Sequence, residues 1–244
     1  MIGRVLRSHA RAFAGDVVLL WVAVAGVVMS LSVVAGVPPD VADAPPEVRV
    51  SLTAPFATVI ATYGAVLAAV YGSFRYTVDR RDGVIAQRLM LQGRGATYLA
   101  RACGSAVGGA LVALAAAVGG HAALHLAVDG LPLNWSSVGQ SLVLGAAAGL
   151  WGLGLGVLVQ AHLVALFIVP MSLSSAVLVA IVWKGGAVYL PFLAMLEALR
   201  FDLSAVGILP DERLGGPIAA LVAGGWVVAA VVAGGVSFVH RDVT

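Results

Sequence analysis

Apolar and polar positions along this chain are sorted into long blocks, with little residue-by-residue alternation. Val17–Val37 contains no charged residue over 21 positions; as a helix it reaches roughly 30 Å, enough to cross a hydrocarbon core. Similar runs follow at Ala54–Phe74, within Ala102–Val128, and at Ile218–Val239. Residues 130–183 carry no charge at all, too long for one crossing and right for two. The break is placed at Gln160-Ala161-His162, giving spans of about Val138–Val159 and Leu163–Val182. The first is rich in glycine (145, 149, 152, 154, 156), and the second holds Pro170 and the Ser172, Ser174, Ser175 cluster. This pattern predicts an all-α polytopic membrane protein with six transmembrane helices in one transmembrane domain.

The polar blocks between the spans have their own periodicity. In residues 1–16, Ile2, Val5, Leu6 and Phe13 recur at helical spacing, with Arg4, Arg7, Ser8 and Arg11 on the opposite side. That is the signature of an amphipathic helix in the headgroup layer. Pro38–Thr53 holds four prolines and three acids and reads as an extended loop. Asp129–Ser137 is a turn, with Trp135 at the interface.

Arg75–Arg101 is the long polar loop, with six Arg against Asp79 and Asp82. Within it Val84–Gln92 reads as a short helix, entered through Gly83 and stopped by Gly93 and Gly95. Val84, Ile85 and Leu89 fall on one side, with Gln87 and Arg88 beside them. An apolar ridge rimmed by Arg suits docking onto a soluble partner; the same charge would equally serve to fix topology, and both readings stand. The outer segment, residues 183–217, contains Tyr189–Leu203, too short and too charged to cross. It lies at the surface or dips in and returns, with Glu197 and Arg200 paired at i, i+3 and Leu193, Leu196 and Leu199 on the other side.

Composition agrees with the membrane reading. Hydrophobic residues make up 61 % of the chain and charged residues 11 %, with a mean hydropathy of +1.01, more apolar surface than a soluble core of this size hides. Cys103 is the single cysteine, so no intrachain disulfide forms. Thirteen Arg against one Lys, with abundant Ala, Val and Gly, point to a GC-rich genome and an expected place in a bacterial plasma membrane. With both termini inside, the cytoplasmic side carries a charge of +6 and the outer side −4, together the net +2. The positive-inside rule selects that orientation.

The sequence also limits the chemistry. No Asp, Glu, Lys or Arg lies within an expected span, which disfavours carriers that hold a coupling ion on intramembrane charges. His121 and His125 share a helix face, but no third metal ligand accompanies them; no metal site is expected. The phosphate-binding pattern G-x-x-x-x-G-K-[ST] is absent, the only lysine being Lys184, so any ATP hydrolysis belongs to another chain. The run from Asp79 through Asp82, Gly83 and Ala86 to Arg88 resembles the opening motif of CDP-alcohol phosphotransferases, which bind divalent metal through four Asp. Here Arg is displaced by one position, and no acid occurs between Asp82 and Asp129, too few oxygen ligands for a hard cation.

The whole layout is similar to the permease subunits of ATP-binding-cassette exporters of the second type (ABC type-2). Those permeases carry an acid, three residues and Gly at the start of the first cytoplasmic loop, here Asp79-x-x-x-Gly83; a hydrophobic helix, here Ile85–Leu91; a turn with Arg, here Gly93-Arg94; and a basic residue opening span three, here Arg101. Asp stands where Glu is usual, and Gly where Pro is usual. The resemblance implies a permease moving an amphipathic drug, lipid or peptide out of the cell by alternating access. It implies coupling to a separate ATPase dimer through Asp79, Asp82, Gly83, Ile85, Arg88 and Leu89. A second permease, identical or homologous, would complete the pathway. No cofactor is expected in this chain, ATP and Mg being held by the ATPase; membrane lipid is an expected contact and nucleic acid is not. It further implies an outer re-entrant hairpin at Tyr189–Leu203 and a pathway bordered by spans two and five, where Thr58, Thr62, Tyr63, Ser172 and Ser175 are the lining residues. A lipid enzyme like the CDP-alcohol phosphotransferases and a non-transporting membrane assembly factor are the alternatives.

Overall fold

The computed structural model describes residues 15–38, 41, 44–128 and 134–241. The expected interfacial helix at 1–16 lies outside them, save Gly15 and Asp16. Every regular element among the described residues is helical. They are α1 (Val17–Leu31), α2 (Pro46–Arg81), α3 (Val84–Leu91), α4 (Arg94–Ala127), α5 (Trp135–Val159), α6 (His162–Val182), the short α7 (Lys184–Ala187), α8 (Pro191–Ala198) and α9 (Gly216–His240). Five of them, α2, α4, α5, α6 and α9, are long and apolar enough to cross a membrane, and the chain is a multi-pass membrane protein.

Several boundaries differ from those expected. The first apolar run forms an α-helix of only 15 residues, continued by a 3-10 turn at Ser32–Gly36. The Ser32 hydroxyl donates to the Met29 carbonyl at 2.6 Å, tightening the chain there. The α-helix rises about 22 Å and the turn adds about 10 Å. The proline-rich segment becomes helical from Pro46, eight residues before the expected span, because a proline at the first helical position has its φ already set and no N–H to lose. α2 then tolerates Pro55 within its body. At the other end, most of the expected loop at 75–101 is helix: α2 runs on to Arg81 and α4 begins at Arg94, so only Asp82, Gly83, Gln92 and Gly93 lie outside helices. Arg, Ala and Leu are good helix formers, and charge does not stop a helix that has left the lipid. Gly83, with φ of 72°, makes the actual turn, whereas Gly95 sits inside α4.

α5 is the centre of the bundle, packed by α2, α4 and α9, while α1 lies on α4 and α2, and α6 on α2. Its glycines permit this. A Cβ on Gly152 would collide with the backbone carbonyl of Ala69 on α2, and one on Gly154 with that of Ala230 on α9. Small residues thus bring the backbones of three helices together where no hydrophobic force between spans would do so.

Part of the segment 183–215 is packed into the bundle, while Trp183, Tyr189 and Leu209 remain exposed. Pro191 to Glu197 are all buried, and Phe192, Leu193 and Leu196 belong to the same apolar core as Tyr71, Trp151 and Val169 of the long helices. The expected Glu197–Arg200 pair is absent. Glu197 instead accepts a hydrogen bond from the Gly215 amide at 2.7 Å, placing its carboxylate at the N-terminus of α9, where the helix dipole favours negative charge.

Candidate functional site

At the end of the bundle where α2, α3 and α4 meet, charge has been taken inside. Asp16 caps α1 by accepting from the Leu19 amide at 3.2 Å. Its other oxygen receives Arg75 Nε at 2.8 Å and the Tyr71 hydroxyl at 3.1 Å. Arg75 also donates through Nη1 to Asp79, one turn on along α2, at 3.1 Å. The second oxygen of Asp79 accepts from Arg101 Nη2, on α4, at 2.8 Å. Arg101 is 5 % exposed and lies 5.8 Å over the Tyr76 ring, a cation–π contact. The result is a ladder of alternating sign, Asp16–Arg75–Asp79–Arg101, tying α1, α2 and α4 together. Gly108 on α4 leaves room for the Tyr71 ring, into which a Cβ there would run. A cavity of about 20 Å³, room for about one water, lies among Tyr76, Asp79, Arg88, Arg101 and Ser105.

The loop helix α3 sits beside this ladder, and its apolar ridge faces the opposite way from that expected. Ile85 is 0 % exposed, packed with Tyr76, Tyr98, Leu153, Val157 and Phe238, and Leu89 joins the same cluster. Arg88 points toward the cavity. The helical stripe legible in the sequence is the face the bundle itself buries. The outward face of α3 carries Gln87, Met90 at 85 % exposure and Leu91 at 82 %, next to exposed Arg81 and Asp82. Met90 and Leu91 went unremarked in the sequence because they stand outside the i, i+4 stripe. Other Arg of this end are spent on helix ends: Arg94 donates to the Val239 and Arg241 carbonyls at 2.7 and 3.1 Å, and Arg241 to the Leu158 carbonyl at 3.3 Å.

Asp79 and Asp82 do not converge. Both oxygens of Asp79 are held by guanidinium groups, while Asp82 is exposed at the end of α2. No group of three potential metal ligands occurs among the described residues. The five expected pathway residues are engaged in local contacts within and between helices. Thr58 donates to the Asp202 carbonyl at 3.1 Å and Thr62 to the Thr58 carbonyl at 2.7 Å. Tyr63 packs with Val33 and Ile60. Ser172, on α6, donates to the Val169 carbonyl and accepts from Trp151 Nε1 at 3.0 Å, and Ser175 donates to the Ser172 carbonyl. Sequence reasoning gave Asp16, Tyr71 and Arg75 no part in such a network, and Arg101 entered it only as the basic residue opening span three. The signal available was Asp16 itself, the lone acid before a charge-free run. Neither a protein-family model nor a curated protein sequence matches this chain.

Proposed function

We propose that this chain is the membrane subunit of an ABC type-2 exporter, moving an amphipathic drug, lipid or peptide out of a bacterial cell across the plasma membrane. A separate ATPase dimer would supply the energy and hold ATP and Mg, and a second permease would complete the pathway. The observation that carries this reading is α3: an eight-residue helix set between the ends of the two longest helices, with apolar Met90 and Leu91 turned outward beside Arg81. A helix so exposed, yet anchored from behind by Ile85 and flanked by the ion-pair ladder, suits transmission of force between a soluble partner and the spans. Closure of the ATPases would draw the α3 helices together, and the Asp79–Arg101 pair would pass that movement to α2 and α4 as one body. The six-span topology with both termini inside counts α1 with its 3-10 turn as the sixth crossing, supported by the +6 and −4 charge split. The burial of α8 among the long helices supports a re-entrant outer segment.

The test is a photo-crosslinking amino acid placed in turn at Met90, Leu91 and Ile85 in native membranes. Positions 90 and 91 are expected to capture an ABC ATPase, identified by mass spectrometry, and position 85 is not. Two aliphatic contacts of this kind contribute roughly 1.5–3 kcal/mol each when buried, so Met90→Asp with Leu91→Asp should abolish co-purification. Crosslinks to lipid alone at both outward positions would remove the reading.

A further inference from the structure

The opposite end of the bundle holds a cleft of about 390 Å³, within the size range of small-ligand sites. Its walls come from the start of α2, the end of α4, the start of α5 and the chain after α8. Its lining combines apolar residues, among them Ala54, Ala57 and Leu124, with polar ones, among them His121, Ser141 and Arg200.

Two of these residues are unusual. Arg200 stands at the position after the end of α8 where the chain turns left-handed, with φ of 60°. The Phe201 amide reaches back to the Leu196 carbonyl at 3.0 Å and the Arg200 amide to Glu197 at 2.9 Å, the paired bonds of a helix stop that ordinarily places Gly there. An arginine occupies it instead, and its guanidinium has no carboxylate partner among the described residues. Ser141 is 5 % exposed, lines the cleft, and its hydroxyl makes no hydrogen bond among the described residues. Asp202 also lines the cleft, but its charge is taken up by partners other than Arg200. Asp202 is bound to Arg213 at 3.1 Å and to the Ser204 hydroxyl and amide at 2.6 and 3.0 Å. These bonds, those from Ser204 foremost, hold its carboxyl below its ordinary value, so it stays ionised and matched to Arg213.

The cleft also sits at a particular depth. On α2 its lining runs from Val50 to Ile60, directly inside Arg49. The uncharged stretch 50–74 rises about 37 Å, so the cleft occupies the headgroup and upper acyl level of that side.

We propose that this cleft binds an amphiphile with an anionic, phosphate-type headgroup, the anion on Arg200 and Ser141 and the first acyl carbons on Ala54 and Ala57. The proposal rests on the membrane assignment and needs no ATPase, so it stands or falls apart from the exporter reading. The experiment is calorimetric titration of the purified full chain in an uncharged detergent with dihexanoyl phosphatidylglycerol, dihexanoylglycerol and inorganic phosphate. Saturable binding of the phosphatidylglycerol is expected, with dihexanoylglycerol and inorganic phosphate each at least about tenfold weaker. Arg200→Gly suits the left-handed turn better than arginine does, so it keeps the fold while removing the cation. It should weaken binding about tenfold to hundredfold, and Arg200→Lys should retain most of it; Ser141→Ala should cost about threefold to tenfold. Inorganic phosphate binding as tightly as the lipid would overturn the amphiphile assignment in favour of a free-anion site. Absence of saturable binding, or equal affinity in wild type and Arg200→Gly, would overturn the site itself.

Discussion

Asp79 is the residue on which the loop end of the molecule depends most. It holds two guanidinium groups from two helices while almost wholly buried. Replacing one member of such a set strands its partners without compensation, which costs about 3–5 kcal/mol, whereas removing a pair together costs far less. Asp79→Leu is therefore expected to destabilise the chain by about 3–5 kcal/mol in chemical unfolding followed by tryptophan fluorescence. Asp79→Leu with Arg101→Leu should recover a large part of that loss, because Arg75 keeps Asp16. Additive losses would mean that the two side chains do not act as a pair. Arg75 was legible in the sequence only as positive charge on one side of the membrane, and Arg101 only as a basic residue at the start of a span. Charge counting assigns a residue to a side, but whether it faces water or a partner is decided by which helices come together.

At the scale of the element, the glycines of α5 set the bundle. Gly152→Ala forces a methyl against the Ala69 carbonyl, a backbone atom that cannot rotate away, so α2 and α5 must separate. Overpacking of this kind costs about 1–3 kcal/mol, and the expected result is a lowered unfolding midpoint. Gly139→Ala, with open space around its Cβ position, should leave the midpoint unchanged. The α5–α6 break was readable from the sequence, since an uncharged run of that length cannot continue as one crossing, and the chain does leave the helix at Gln160, φ 61°. The helical extensions of α2 and α4 were not, because hydropathy marks where lipid ends and says nothing of where a helix ends. The face of α3 that is buried was not decided by the sequence, for a related reason. An apolar stripe identifies the side that will be buried, and the sequence alone does not say whether its own bundle or a partner does the burying.

For the whole molecule, the proposed topology puts Met90 and Leu209 on opposite sides of the membrane. With Cys103→Ser as background, Leu209→Cys should react with an impermeant thiol reagent on intact cells and Met90→Cys only after permeabilisation; the reverse pattern would invert the assignment. The ladder at the loop end bears on a different property of the same membrane. Two Asp and two Arg sum to zero, so a rocking bundle that carries the ladder some distance through the electric field moves no gating charge. A single uncompensated charge crossing the full field is worth about 2.3 kcal/mol per 100 mV. Under the proposed exporter function, proteoliposomes of chain and ATPase clamped by a potassium gradient and valinomycin should therefore give the same turnover polarised and unpolarised, and Asp79→Asn, which leaves the ladder one positive charge in excess, should make the rate depend on voltage.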